Sequence, residues 1–384
     1  MKKLAIILSH PIQYYSPLFQ LLSKSCELKV FYTIGNNAIE NGHFDEGFQK
    51  HVIWDIPLLN GYTYEIVENN AKAIGHHFFG IRNPGLINIL ELFQPNAILV
   101  YGWSYESHLK CIRYFSGKIP IWFRGDSTLL DSKHLLTKIV RKLFLTWVYK
   151  HIDIAFYVGE ANKAYFEAMG FPKEKLICAP HAIDNDRFGQ IRRVEALALR
   201  KSLGIDENEI LILFAGKFEH KKNPKLLLNT FLQINQSNVQ LLFIGNGALE
   251  QDLKQLASTS VAKNRIHFMD FQNQNVIPVF YQACDLFCLP SRGPGETWGL
   301  AVNEAMAAGK AILVSDKAGC SSDLVREGKN GYTFESENEN ELKKKLEIIL
   351  KQDLKEMGNY SRKTIQNWSI ERQAIAITNS LENK

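Results

Sequence analysis

Short, nearly uninterrupted apolar runs recur along this chain, at residues 4–8, 28–32, 97–101, 119–123 and 154–158. Runs of this length predict strands buried on both faces, as in parallel sheets. Stretches with apolar residues at helical spacing lie between them, such as 17–23 and 161–169. The section 36–83 breaks the rhythm, being rich in Asn, Gly and aromatics and without a clear period. The first series ends at Pro180-His181-Ala182-Ile183-Asp184, and a polar, charged stretch runs to about residue 208. A second series then begins, with runs at 210–215, 226–234, 240–244, 249–257 and 266–268. Two successive series of alternating strands and helices predict an α/β chain of two doubly wound, Rossmann-like domains facing a central cleft. The expected boundaries are 1–185 and 186–365, followed by a terminal segment, 366–384, with a helix candidate at 368–381. The length of 384 residues agrees, because it exceeds what one core usually supports.

The second series leads to the stretch 291–310, SRGPGETWGLAVNEAMAAGK. An apolar run at 286–289 precedes it and another at 311–314 follows it, giving strand, glycine-rich loop, helix and strand. That is one parallel βαβ unit, and its loop belongs at the carboxyl end of the first strand, where open α/β sheets bind ligands. Amides at the helix start, around Trp298, Gly299 and Leu300, suit an anion, commonly a phosphate. Two carboxylates, Glu296 and Glu304, stand eight residues apart across the loop and helix. Taken alone, Glu296 reads equally as a helix cap and Glu304 as a solvated surface charge.

ETWGLAVNEAMAAGK resembles the E-x7-E signature of the family 4 retaining glycosyltransferases, which have the GT-B fold. GKFEHKKN at 216–223 looks like that family's G-R-L-x-x-x-K-G, and IGNG at 244–247 like its G-x-G turn. LFCLPS at 286–291 and REGKNGYTF at 326–334 match the segments flanking the signature, and ILSHPIQYYSPLF takes the place of the first phosphate-facing loop. The resemblance spans the chain and is strongest from about 205 to 335. It implies a nucleotide-sugar donor, with Glu304 on the ribose hydroxyls and Glu296 on hydroxyls of the donor sugar. Lys217 and Lys222 would meet the diphosphate, Lys217 standing where the family usually has Arg. Lysine brings point charge without a bidentate fork. Amides near Trp298, Gly299 and Leu300 would bind phosphate, and Gly245 and Gly247 would turn the chain at a strand end. The terminal helix would cross back to the first domain.

The resemblance calls for no cofactor and no metal. Asp184-Asn185-Asp186 is a D-x-D, but it follows the place of the family's N-G-V-D hinge and reads as hinge chemistry. On the acceptor side the chain departs from the family, with Phe123-Arg124-Gly125-Asp126-Ser127 where many members carry a histidine after the fourth strand. Asp126 beside Arg124 would orient or deprotonate an acceptor hydroxyl, or else cap a helix and pair with Arg124. His10 ends the first strand and would approach the leaving phosphate or the acceptor, or make a local hydrogen bond. The catalytic set so implied is Glu296, Asp126 and His10, with no protein nucleophile assigned. The irregular section 36–83 would supply acceptor-facing loops.

Composition narrows the remaining choices. The chain is 46% hydrophobic and 22% charged, as in an ordinary globular protein. Its net charge of +5 is too modest to argue for nucleic acid. No apolar run reaches the roughly 18 residues that span a bilayer, and the opening MKKLAIILSH is too short for a signal peptide. Six cysteines without paired spacing suit reduced thiols in a cytoplasmic protein. Cys284 and Cys288 form at most half a metal site. Residues 133–150, KHLLTKIVRKLFLTWVYK, contain five basic residues and no acid. Leu136, Ile139, Val140, Leu143 and Trp147 follow helical spacing there. Such a helix either lies on an anionic membrane or packs on the core with solvated lysines. The function expected is transfer of a sugar to a glycan or lipid-linked acceptor in envelope polysaccharide biosynthesis, cytoplasmic and peripheral on the membrane. The alternatives are a GT-B sugar-nucleotide epimerase and a non-catalytic nucleotide-sugar-binding subunit.

Overall fold

A computed structural model describes residues 1–36, 43–131 and 135–383. In chain order the strands are β1 (Lys3–Leu8), β2 (Glu27–Tyr32), β3 (His43–Asp45), β4 (Lys50–Val52), β5 (Thr63–Ile66), β6 (Ala97–Tyr101), β7 (Ile121–Arg124), β8 (Ile154–Tyr157) and β9 (Leu176–Cys178). The second series holds β10 (Ile210–Ala215), β11 (Val239–Ile244), β12 (Ile266–Met269), β13 (Leu286–Leu289), β14 (Ala311–Ser315) and β15 (Gly331–Phe334). Every apolar run named above as a strand is one, with ends shifted by no more than two residues. The three-residue β9 and the half-exposed β5 carry too little apolar pattern to be read in advance.

Two compact units result. The first contains 1–43, 56–181 and 370–384, and the second contains 44–55 and 182–369. The first unit's sheet has the order β5-β2-β1-β6-β7-β8-β9, and its neighbours pair in parallel. The second unit's sheet, β12-β11-β10-β13-β14-β15, is also parallel throughout. In each, the strand order reverses once, between β1 and β6 and between β10 and β13. The reversal opens a crevice at the carboxyl ends of those strands, because the flanking connections leave toward opposite sides. All six residues of β11 are buried, as strands covered on both faces must be. Each unit has its own core, one around Phe31, Phe123 and Phe166 and one around Phe214, Phe231 and Phe243.

The chain leaves the first unit near His181 and returns at Ile370. Asp184 caps the short helix Asn185–Gly189 by accepting the Arg187 N–H at 3.0 Å, and Asn185 donates to the carbonyls of Ile365 and Trp368. The terminal helix Ile370–Glu382 belongs to the first unit, where it packs on the helix Ser16–Leu22. Residues 44–55 differ from expectation. They lie within the irregular stretch assigned by sequence to the first domain, yet they pack with the second unit. Phe48 and Trp54 meet Phe271 there, and Asp55 accepts the backbone N–H of Asn275.

Within the sequence stretch 133–150, Lys133 and His134 lie outside the described residues. The helix itself runs Leu135–Tyr149. Leu145, Val148 and Tyr149 face the first unit's core, whereas Leu136 (76% exposed), Val140 (66%) and Leu143 (68%) face outward. Among the described residues, no helix is long and apolar enough to cross a membrane.

Candidate active site

The second unit's crevice is formed by the segments leaving β10 and β13. After β10 the chain runs through Gly216 and Lys217 to the helix Pro224–Leu232. After β13 it runs through Ser291 to Gly299 and into the helix Leu300–Ala307. The turn after β11 closes against the first of these loops. Gly216 N–H donates to the Ile244 carbonyl, Phe218 N–H to that of Asn246, and Leu249 N–H to that of Phe218. This close approach requires glycine at 245 and 247. A Cβ on Gly245 would sit 2.0 Å from the Gly216 oxygen, and one on Gly247 would sit 2.7 Å from that of Phe218.

Glu296 and Lys222 meet within this unit, Glu296 Oε2 lying 2.6 Å from Lys222 Nζ. Glu296 is only 7% exposed and also accepts from Ser291 Oγ at 3.0 Å. Burial alone would raise its carboxyl; the Lys222 ammonium, helped by Lys221 and Ser291, outweighs that and holds it below the usual carboxylate range. Glu296 is therefore an ionised acceptor at neutral pH. Lys222 reaches the crevice already paired to Glu296, where the sequence reading had it available to the diphosphate.

Glu304 is turned inward, as the reading of a nucleotide ligand requires. It is 5% exposed, and its Oε2 accepts from Tyr281 Oη at 2.7 Å. The surface-charge reading of Glu304 is thereby overturned. The helix carrying it begins at Gly299, whose φ of +101° explains the glycine, and a Cβ there would lie 2.9 Å from Leu289 Cδ2. Trp298 packs on Trp368 and donates its indole N–H to Asn303 Oδ1 at 2.8 Å, fixing the loop just ahead of the helix. The amides of Gly299 and Leu300 stand at that helix start, a geometry that suits an anion.

Lys217 sits at the carboxyl end of β10, 2.7 Å from a carboxylate oxygen of Asp45. Sequence reasoning missed Asp45, because residues 172 apart share no motif and its surroundings carry no pattern. Tyr281 and Ser291 were missed too: one is an ordinary aromatic on a helix, the other a strand-end serine.

The acceptor-side candidates all belong to the first unit. His10 follows β1, with its Nδ1 2.9 Å from Ser9 Oγ and its ring 5.1 Å from that of His76. His76 in turn reaches Tyr105 Oη at 2.8 Å. Asp126 is exposed just past β7 and lines a cavity of about 240 Å³ with Trp103, Arg141 and Tyr165. Arg124 has a different task from the one expected. It is 2% exposed and donates its guanidinium to the carbonyls of Ala179 and Pro180, tying β7 to the segment that leaves the unit. Cys284 is buried, which pushes its thiol up to about 12.

Comparison with known proteins places the chain among glycosyltransferase-like sequences and folds. Residues 196–367 match the family model described as glycosyl transferases group 1. A lipopolysaccharide 1,2-N-acetylglucosaminetransferase of Salmonella typhimurium is 32% identical over 143 residues, 35% of this chain and 37% of that protein. A phosphatidyl-myo-inositol mannosyltransferase of Mycobacterium leprae is 25% identical over 273 residues, 70% of this chain and 66% of that protein. The chain thus spans about a third to two thirds of the length of the curated relatives it matches. The crystal structure of Anabaena HepE in complex with UDP and glucose shares the fold, with a TM-score of 0.74, 16% identity and 100% of both chains covered. The match to the glycosyl transferases group 1 thus covers residues 196–367, most of the second unit, and the two doubly wound units give the chain the GT-B fold.

Proposed function

We propose that this protein transfers a sugar from a nucleotide-sugar donor, with retention of anomeric configuration and without a metal, to a glycan or lipid-linked acceptor of an envelope polysaccharide. The observation that carries this reading is the buried Glu296–Lys222 pair on the segments leaving β10 and β13, with Glu304 buried on the helix that follows. Glu304 holds the ribose hydroxyls, and the ionised Glu296 accepts from hydroxyls of the sugar. Lys217, Lys222 and the helix-start amides at Gly299 and Leu300 stabilise the departing diphosphate; fixed positive charge of this kind does the work a divalent cation does elsewhere. Gly245 and Gly247 keep the neighbouring turn closed. His10 and Asp126 orient the acceptor, and the leaving phosphate itself assists its deprotonation. UDP in HepE and the lipid named in the mycobacterial relative support this choice of donor and acceptor class.

A panel of nucleotide-sugars screened for thermal stabilisation in excess chelator tests the donor. A ligand at 100 times its Kd raises stability by about 2.7 kcal/mol. One donor should stand out, and its turnover should survive the chelator. Turnover lost in chelator and restored by magnesium or manganese would refute metal independence.

The helix Leu135–Tyr149 supports a peripheral site on the cytoplasmic membrane face, because its exposed Leu136, Val140 and Leu143 lie beside Lys138 and Lys142. Contiguous exposed apolar side chains beside basic ones match an anionic bilayer surface. Each lysine near such a surface is worth about 1 kcal/mol. Liposome co-sedimentation should show binding to anionic vesicles that falls with salt and is lost when Lys138 and Lys142 become serine. Arg141 is left in place, because its Nε donates to Tyr165 Oη at 2.7 Å. Equal sedimentation of parent and variant would remove the membrane from the reading.

A further inference from the structure

The hairpin β3–β4 is an outlying piece of chain with a specific address. It is encoded between two strands of the first unit, yet it packs with the second unit, at the loop that presents Lys217. Its turn touches the glycine turn after β11 as well: a Cβ on Gly247 would lie 2.8 Å from the Gly47 oxygen. Contacts beyond the turn hold the hairpin in place. Lys50 pairs with Asp270 at 3.6 Å, and Phe48 packs on Phe271 with ring centroids 4.8 Å apart. Asn273 Nδ2 donates to the Ile53 carbonyl, and Asn275 Nδ2 to that of Asp55.

Against this background Asp45 stands out chemically. Its carboxylate lies 2.7 Å from Lys217 Nζ through one oxygen and 2.9 Å through the other. The first oxygen also accepts the N–H groups of Gly47 and Phe48, so the turn itself aims the carboxylate. Burial raises the Asp45 carboxyl, but Lys217 and these two amides more than reverse this and keep it ionised. The Phe48 ring lies 5.1 Å from the same ammonium. A carboxylate and a phosphate oxygen are alternative acceptors for one ammonium, and two anions sharing it repel each other.

We propose that Asp45 is a built-in competitor of the donor diphosphate for Lys217, so that the hairpin 43–52 sets the affinity for donor and must release the lysine when donor binds. This rests on the reading of Lys217 as a phosphate ligand. The hairpin need not undock, since Lys50, Ile53 and Asp55 hold it through partners other than Lys217. A shift of Asp45 alone frees the ammonium.

The test is Asp45→Asn beside Lys217→Ala, each titrated calorimetrically with whichever of UDP, GDP and ADP the parent binds tightest. Asparagine still accepts from Gly47 and Phe48, so the turn should survive, and only the charge is lost. Should that variant melt early, Asp45→Ser repeats the measurement with a smaller neutral side chain. Asp45→Asn should bind about two- to fivefold tighter, the range a partly exposed ion pair supports, while Lys217→Ala binds more weakly than the parent. Weakened binding in Lys217→Ala with unchanged or weaker binding in Asp45→Asn overturns the competitor and leaves the donor site standing. Unchanged binding in Lys217→Ala removes that lysine from the donor site, and the competitor with it.

Discussion

Replacing Glu296 by glutamine should cost both fold stability and catalysis, through the same lost charge. In the parent, Lys222 is neutralised by a carboxylate 2.6 Å away that is almost fully buried. Glutamine keeps an acceptor for Ser291 Oγ but leaves the Lys222 ammonium without its counter-charge. Removing one member of a buried pair costs about 3–5 kcal/mol. Because Lys222 keeps some solvent contact, the lower end, about 3 kcal/mol, is expected in urea unfolding. The pH dependence supplies an internal check. The folded-state carboxyl is held below its unfolded value. The pair's contribution is therefore complete above the ordinary glutamate pKa of about 4.3 and is lost as pH falls through the lower folded value. The glutamine variant lacks that segment, so the two stability curves should converge in acid. In kinetics, if Glu296 meets the donor sugar as proposed, loss of that charge-assisted hydrogen bond should lower kcat/KM roughly 10- to 150-fold, or about 1.5–3 kcal/mol. Curves that stay parallel down to acid pH would mean that Lys222 and Glu296 are not an ion pair in solution.

Why some of this was legible in advance follows from how each feature is encoded. The strands could be read because a parallel sheet buried on both faces demands consecutive apolar residues, and β10, β11, β13 and β14 supply them. The strand–loop–helix around Glu296 and Glu304 could be read because turn, helix and two carboxylates occur within one short segment. The edge strands β5 and β9 escaped, being half solvated and short. Asp45 escaped for a deeper reason. Its partner is set by where a hairpin docks, and docking is decided by Phe48, Trp54 and Asp55 against Phe271 and Asn275, contacts that follow no period. Arg124 illustrates the converse error. A charged residue ending a strand looks like chemistry, yet this one satisfies two backbone carbonyls in the interior. Sequence spacing identifies groups that lie on one element; it does not say which charges have been committed elsewhere.

Glu304 offers the sharpest separation between holding the fold and holding the donor. Its carboxylate accepts from Tyr281 Oη inside the second unit, so Glu304→Ala removes two things at once. The tyrosine hydroxyl loses its acceptor, a cost of about 1–3 kcal/mol if nothing replaces it. On the proposed reading the ribose loses one or two charge-assisted hydrogen bonds, about 1.5–3 kcal/mol, which weakens nucleoside diphosphate binding roughly 10- to 150-fold. Tyr281→Phe separates the terms. It deletes the hydroxyl and the need to satisfy it, leaves the carboxylate for the ribose, and should change binding by no more than about threefold, or 0.6 kcal/mol. Glu304→Gln stands between them, still accepting from Tyr281 but without the charge. The expected order of affinity is parent and Tyr281→Phe together, then Glu304→Gln, then Glu304→Ala, measured calorimetrically on folded protein. Should Glu304→Ala bind the nucleotide as tightly as the parent, the carboxylate's task is to position the helix Leu300–Ala307 through Tyr281, and the ribose must be held by another group.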